Sequence, residues 1–70
     1  MQKGSKVKWK PLSQLPQGAA ENLRVREEDH GKGPFIVQDI EPFLENNRLI
    51  RFINQHGLKA TVNENLLIEV

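Results

Sequence analysis

Seventy residues make one small domain with a thin core, since a chain of this length buries only about 60% of the surface that its unfolded form exposes. The absence of cysteine excludes disulfides and thiolate metal ligands as reinforcement, and an apolar fraction of 37% lies above the range of disordered chains. A net charge of +1 by itself points neither towards nor away from a polyanionic partner.

The chain opens "MQKGSKVKWK", which is basic but has no apolar run behind it, so it reads as mature protein and not as a secretion signal. No stretch approaches the roughly 18 consecutive apolar residues of a membrane span, and a soluble cytoplasmic protein is the expectation. Residues 5–10 alternate cleanly, with Val7 and Trp9 on one side and Lys6, Lys8 and Lys10 on the other, which predicts a half-buried strand closed by Pro11. Residues 11–22, "PLSQLPQGAAEN", carry two prolines and a glycine and read as a loop, with Leu12 and Leu15 tucked beneath it. "LRVREED" alternates again and predicts a second strand, with Leu23 and Val25 inward and Arg24 and Arg26 outward. The glycine turn "DHGKGP" then predicts a hairpin into the next strand.

That strand begins "GPFIVQDI". Alternation puts Phe35 and Val37 on one face and Ile36, Gln38 and Ile40 on the other. Apolar residues on both faces demand cover on both sides, which a central bent strand or a packed helix would supply. Residues 41–57 read in two ways. As a helix near 46–56, Leu49, Ile50, Phe52 and Ile53 fill one half of the wheel, Asn46 is the N-cap and Gly57 the C′ residue. As strand and turns, "ENN" turns the chain, "RLIRFI" is a strand and "NQHG" turns it again. In the tail Leu58, Ala60 and Val62 alternate with Lys59 and Thr61, "NEN" is a turn, and Leu66, Ile68 and Val70 point inward. The predicted core is Val7, Trp9, Val25, Phe35, Val37, Ile40, Val62 and Ile68.

The run "KVKWK", long loop, "RVREED", "GKGPFIVQDI", "RLIRFINQHG", "LKATVNENLLIEV" resembles the SH3-like small β-barrel superfold, as in Tudor, KOW and related bacterial modules. The features carrying it are the spacing of Gly33, Phe35, Val37 and Ile40, and that of Ala60, Val62, Leu66 and Leu67. The resemblance implies a mostly-β barrel of about five strands, with a short 3₁₀ turn from "NENLL" before the last strand. The alternative is an α+β fold, an antiparallel sheet with a helix near residues 46–56. The chain lacks the aromatic cluster with which SH3 and Tudor domains line their pockets, so neither a proline-rich nor a methyl-lysine specificity is carried over.

Nothing in the sequence assembles a catalytic centre. Ser5 and Ser13 sit in no nucleophile elbow, and "GKGP" lacks the spacing of a phosphate loop. The run Glu27, Glu28, Asp29, His30 offers metal-ligand types, but successive residues at a strand end diverge and the run reads as a solvated turn. The expectation is a binding domain without enzymatic activity, cofactor or metal. A strand at 48–53 would show apolar residues on both faces, leaving Leu49 and Ile53, with Arg51 between them, as a surface for a protein partner or a second copy. The second reading is a basic stripe of Lys6, Lys8, Lys10, Arg24 and Arg26 tracking a phosphate backbone, if the first two predicted strands pair.

Overall fold

The computed structural model describes residues 1–16, 18–45 and 47–70. The lysine-framed alternation of the N-terminal segment forms strand β1 (Lys6–Trp9), with Val7 and Trp9 buried and Lys6 and Lys8 exposed as expected. The segment expected to be the second strand is instead a helix, α1 (Leu23–His30). Four more strands follow: β2 (Phe35–Leu44), β3 (Asn47–Ile53), β4 (Lys59–Asn63) and β5 (Leu67–Glu69). They make one antiparallel five-stranded sheet in the order β4-β3-β2-β1-β5. The edges β4 and β5 do not pair, so the sheet is not closed. The fold is thus mostly β with one short helix, and that helix lies at 23–30, not near 46–56. Asn46, expected as a helix N-cap or turn residue, lies outside the described residues. Short 3₁₀ turns occupy Leu12–Gln14, Ala20–Asn22 and, before the last strand, Glu64–Leu66.

The misassigned helix at 23–30 and the double reading of 41–57, whose strand version holds, both have physical causes. In α1 the half-buried residues are Leu23, Arg26, Glu27 and His30, the i, i+3, i+4, i+7 face of a helix. Only Leu23 is apolar there, so the helical period is silent in the hydrophobic pattern, while Val25 lies on the opposite face, 53% exposed. In β3 the paired apolar residues arise because Ile50 and Phe52 enter the core while Leu49 and Ile53 remain on the outer face. The isoleucine and phenylalanine content favours the pleated surface, and partners on both sides complete the ladder.

What holds α1 is its C-terminal end. The last carbonyls of a helix have no partner within it. Here Gly31 N–H donates to Glu27 O (2.8 Å), His56 Nε2 to Glu28 O (3.1 Å), Asn54 Nδ2 to Asp29 O (3.4 Å) and Gln55 N–H to His30 O (2.9 Å). The indole N–H of Trp9 completes the series at Gly31 O (2.8 Å). Asn54, the buried polar residue of this clasp, has its orientation set from the other side. Its Oδ1 accepts from His56 N–H (2.9 Å) and Leu58 N–H (3.0 Å), so its amide nitrogen faces Asp29 O and His30 Nδ1 (3.0 Å). That contact leaves the His30 ring proton on Nε2. Gly31 takes φ +94°, and a Cβ there would run into the side chain of Gln55, whose Oε1 accepts from Lys32 N–H.

The core is Val7, Trp9, Phe35, Val37, Ile50, Phe52, Ala60 and Leu67. Phe35 and Phe52 stack at 4.3 Å, and Trp9 meets both edge-on at 5.7 and 6.3 Å. Of the expected core, Val7, Trp9, Phe35 and Val37 are buried, and Ile40 and Val62 pack against it partly buried. Val25 is outside it. Ile68 is only half-buried, because the 3₁₀ turn shifts the parity of the tail: Leu67 points in where Leu66, Ile68 and Val70 were expected. Leu12, expected beneath its loop, and Leu58 are exposed. The bent strand is present. Phe35 and Ile36 pair with β1, whereas Val37 to Leu44 pair with β3, with register shifts between Val37 and Asp39 and between Pro42 and Leu44. Arg48 of β3 grips Glu64 at 2.9 Å, tying the sheet to the last 3₁₀ turn.

Three substitutions test this description by urea unfolding. Phe35→Ala should cost ~3–5 kcal/mol, as truncation of a core aromatic does, whereas Val25→Ala should stay within ~0.5 kcal/mol. Gly31→Ala, strained at its φ and obstructed by Gln55, should cost ~1–3 kcal/mol. Asn54→Ala should raise hydrogen exchange at the amides of 27–31 before it affects those of the sheet centre; equal protection loss everywhere would contradict the capping role.

Candidate functional site

Strand alternation divides the sheet into an inner face, filled by the core, and an outer face. On the outer face β3 presents Leu49, Arg51 and Ile53, the residues expected to bind a partner, in one line. Leu49 is half-buried, and Arg51 and Ile53 are exposed. Arg51 and Ile53 line a shallow cleft of about 260 Å³ together with Gln38 and Asp39 of β2, Phe52, and Lys59 of β4. Leu49 stands outside the cleft, opposite Glu41 on one side and Asn63 on the other.

Ile36 is the residue whose placement the sequence did not resolve. Its neighbours Phe35 and Val37 are buried, but Ile36 faces outward and stays 44% exposed, so the cover expected on both sides of this strand is present on one side only. Its register neighbour on β1 is Lys6. Ile36 and Ile53 each lie one position beyond Val37–Phe52, the end pair of the β2–β3 ladder, and continuing that register sets them side by side; the partner of Ile53 on β4 is Lys59. A row Lys6, Ile36, Ile53, Lys59 therefore crosses four strands, with two isoleucines at its centre and a lysine at each end. Of the row, the sequence pointed to Ile53 as partner-binding and to Lys6 as phosphate-binding. It did not single out Ile36 or Lys59, since only cross-strand register joins residues so far apart in the chain.

Electrostatics differ along this face. Arg51 is flanked by Asp39 (3.6 Å) and by Glu41, to which it also hydrogen-bonds, and Lys3 stands 3.6 Å from Asp39. These pairs are half-exposed and contribute little to stability, but they neutralise Arg51 locally. The Asp39 carboxyl is held below its ordinary range chiefly by the hydrogen bond from Ile40 N–H (3.0 Å); desolvation, the next largest effect, opposes it, and Lys3 and then Arg51 add to the lowering. By contrast Lys6, Lys8 and Lys59 form no ion pair among the described residues.

The basic stripe does not assemble as expected. Lys6 and Lys8 are exposed on β1 and Lys10 lies just beyond its end, half-buried. Arg24 and Arg26 are on α1, which does not pair with β1. Arg24 leans on Glu28 at 3.6 Å, and Arg26 donates to Ala19 O at 2.8 Å. The helical geometry of 23–30 thus removes two of the five cations from the proposed line. The run from Glu27 to His30 is the last turn of α1, with the His30 ring turned towards Asn54, and among the described residues no three His, Asp or Glu side chains converge on a common point.

The chain matches no family model, no curated protein and no solved structure. No helix among the described residues is long and apolar enough to cross a membrane.

The Asp39 environment makes a pH prediction. Because its folded value lies below the unfolded one, the interaction stabilises the fold above the ordinary carboxylate range and is lost as pH falls through the folded value. Following the Asp39 carboxyl carbon by NMR should give a midpoint below that of aspartate in an unstructured peptide, moving upwards in Lys3→Ala.

Proposed function

We propose that the chain is a small binding module without enzymatic activity, of SH3-like character, that recognises a protein partner through the outer face of its sheet. A cytoplasmic setting belongs to the same reading. The observation that carries it is the uncovered apolar pair Ile36 and Ile53 beside the cleft of Gln38, Arg51 and Lys59. In a domain this small, isoleucines adjoining across two central strands are costly to leave in water, and association removes that cost. The five strands and the 3₁₀ turn ahead of β5 support the SH3-like assignment. Nucleic-acid binding through the basic residues is the weaker reading, because Arg24 and Arg26 do not join Lys6 and Lys8 and because three of the four aromatics, Trp9, Phe35 and Phe52, are buried, leaving Phe43 alone exposed to stack on a base.

A random peptide library displayed on phage and panned against the protein tests the reading. Enriched peptides should shift the NMR amide signals of Ile36, Gln38, Arg51, Ile53 and Lys59, and should bind Ile53→Asp at least about tenfold more weakly, as expected for a central apolar contact. Peptides that bind Ile53→Asp equally well, or that shift only residues of the opposite face, would overturn it.

A further inference from the structure

The charge around the two isoleucines specifies what lies on them. Lys6 on β1 and Lys59 on β4 flank the two isoleucines, both exposed and both free of carboxylate partners among the described residues, with Lys8 next along β1 and the exposed Val70 beyond Lys6, its N–H donating to Lys6 O (2.9 Å). The one arginine of the cleft is already neutralised by Asp39 and Glu41. A second copy of this chain placed face to face would set lysines against lysines. A segment bearing carboxylates at the two ends of a short apolar stretch fits both the centre and the rim.

We infer that the partner is an acidic, extended protein segment laid across the strands, with an apolar side chain over Ile36 and Ile53 and carboxylates at Lys6 and Lys59; this rests on the outer face being the recognition surface. The spacing follows from the sheet. Lys6 and Lys59 are three strand intervals apart, ~14 Å at the usual ~4.8 Å per strand, which an extended chain at ~3.4 Å per residue covers in about four residues. The segment therefore carries its two carboxylates about four residues apart, with the apolar residue midway between them on the same face of the extended chain. A polyanion without apolar groups satisfies the rim but leaves the isoleucines wet, and a basic segment meets unpaired lysines at both ends.

Four labelled probes separate these cases by fluorescence anisotropy and NMR mapping: the peptide Ser-Glu-Ser-Val-Ser-Glu-Ser, whose glutamates and valine share one face of an extended chain, the same peptide with lysine for glutamate, a glutamate heptamer, and a thymidine oligonucleotide. The glutamate–valine peptide should bind with shifts at Lys6, Ile36, Ile53 and Lys59. It should weaken at least about fivefold between low and physiological salt in the unmodified protein, since the ion pairs are exposed. In the double variant Lys6→Glu with Lys59→Glu, whose substitutions lie at exposed positions, preference should invert towards the lysine–valine peptide. Equal binding of the lysine–valine peptide to the unmodified protein at this face would overturn the acidic class while leaving the face itself as the docking surface. Tighter binding of the glutamate heptamer, or of the oligonucleotide, would overturn it in favour of a bare polyanion or of nucleic acid. If none of the four shifts this face, the acidic segment is overturned, and the library selection decides separately whether the face binds at all.

Discussion

The structure depends on the capture of one helix end. α1 has eight residues, too few to hold a helix in water by itself, and its charges run against its dipole. Arg24 and Arg26 lie in its first half and Glu27, Glu28 and Asp29 crowd its last turn, where the backbone already presents partial negative charge. Donors from outside the helix offset both problems. Asn54, Gln55 and His56, successive residues of the turn between β3 and β4, reach the carbonyls of 28 to 30, and the Trp9 indole takes that of Gly31. Because Trp9 is also at the centre of the aromatic cluster, the same side chain joins the helix end, β1 and the core. The turn and the indole together convert a weak helix into a fixed part of the domain.

Much of the sheet could be read directly from the residues. Val7 and Trp9 alternate with lysines, Phe35 and Val37 alternate on β2, and the core follows from both. The central place of β2 was one of two ways the sequence offered to cover apolar residues on both of its faces, although Ile36 is left exposed and that cover is present on one side only. The helix was not, because its inward face is Leu23, Arg26, Glu27 and His30 and its strongest apolar residue, Val25, points to water. Its cause lies some 25 residues downstream, in a turn whose asparagine, glutamine and histidine read as ordinary loop chemistry. The parity of β5 was misread for a local reason: the turn at Glu64–Leu66 takes up residues that a continuous strand would have alternated.

The candidate site has the same mixture. Arg51 and Ile53 were apparent as the outer residues of a strand with too many apolar side chains for one face. Lys6 was apparent as an exposed cation. That these belong to one row, completed by Ile36 and Lys59, depends on three strand registers at once, and no local window contains that information. The uneven neutralisation of the face follows likewise from pairing, since Arg51 meets Asp39 and Glu41 only across the β2–β3 ladder.

The clasp on α1 engages backbone oxygens, which every residue type possesses. Arg24, Val25, Glu28 and Asp29 contribute side chains that face solvent, and none of them supplies an atom of the clasp beyond its carbonyl. The helix is therefore a rewritable element: its outer letters can change while Trp9, Asn54, Gln55, His56 and Gly31 hold its end in place. A domain of seventy residues thereby has two independent vocabularies, one on the outer face of the sheet, where we propose a partner binds, and one on the helix that can be edited without disturbing the grammar of the fold.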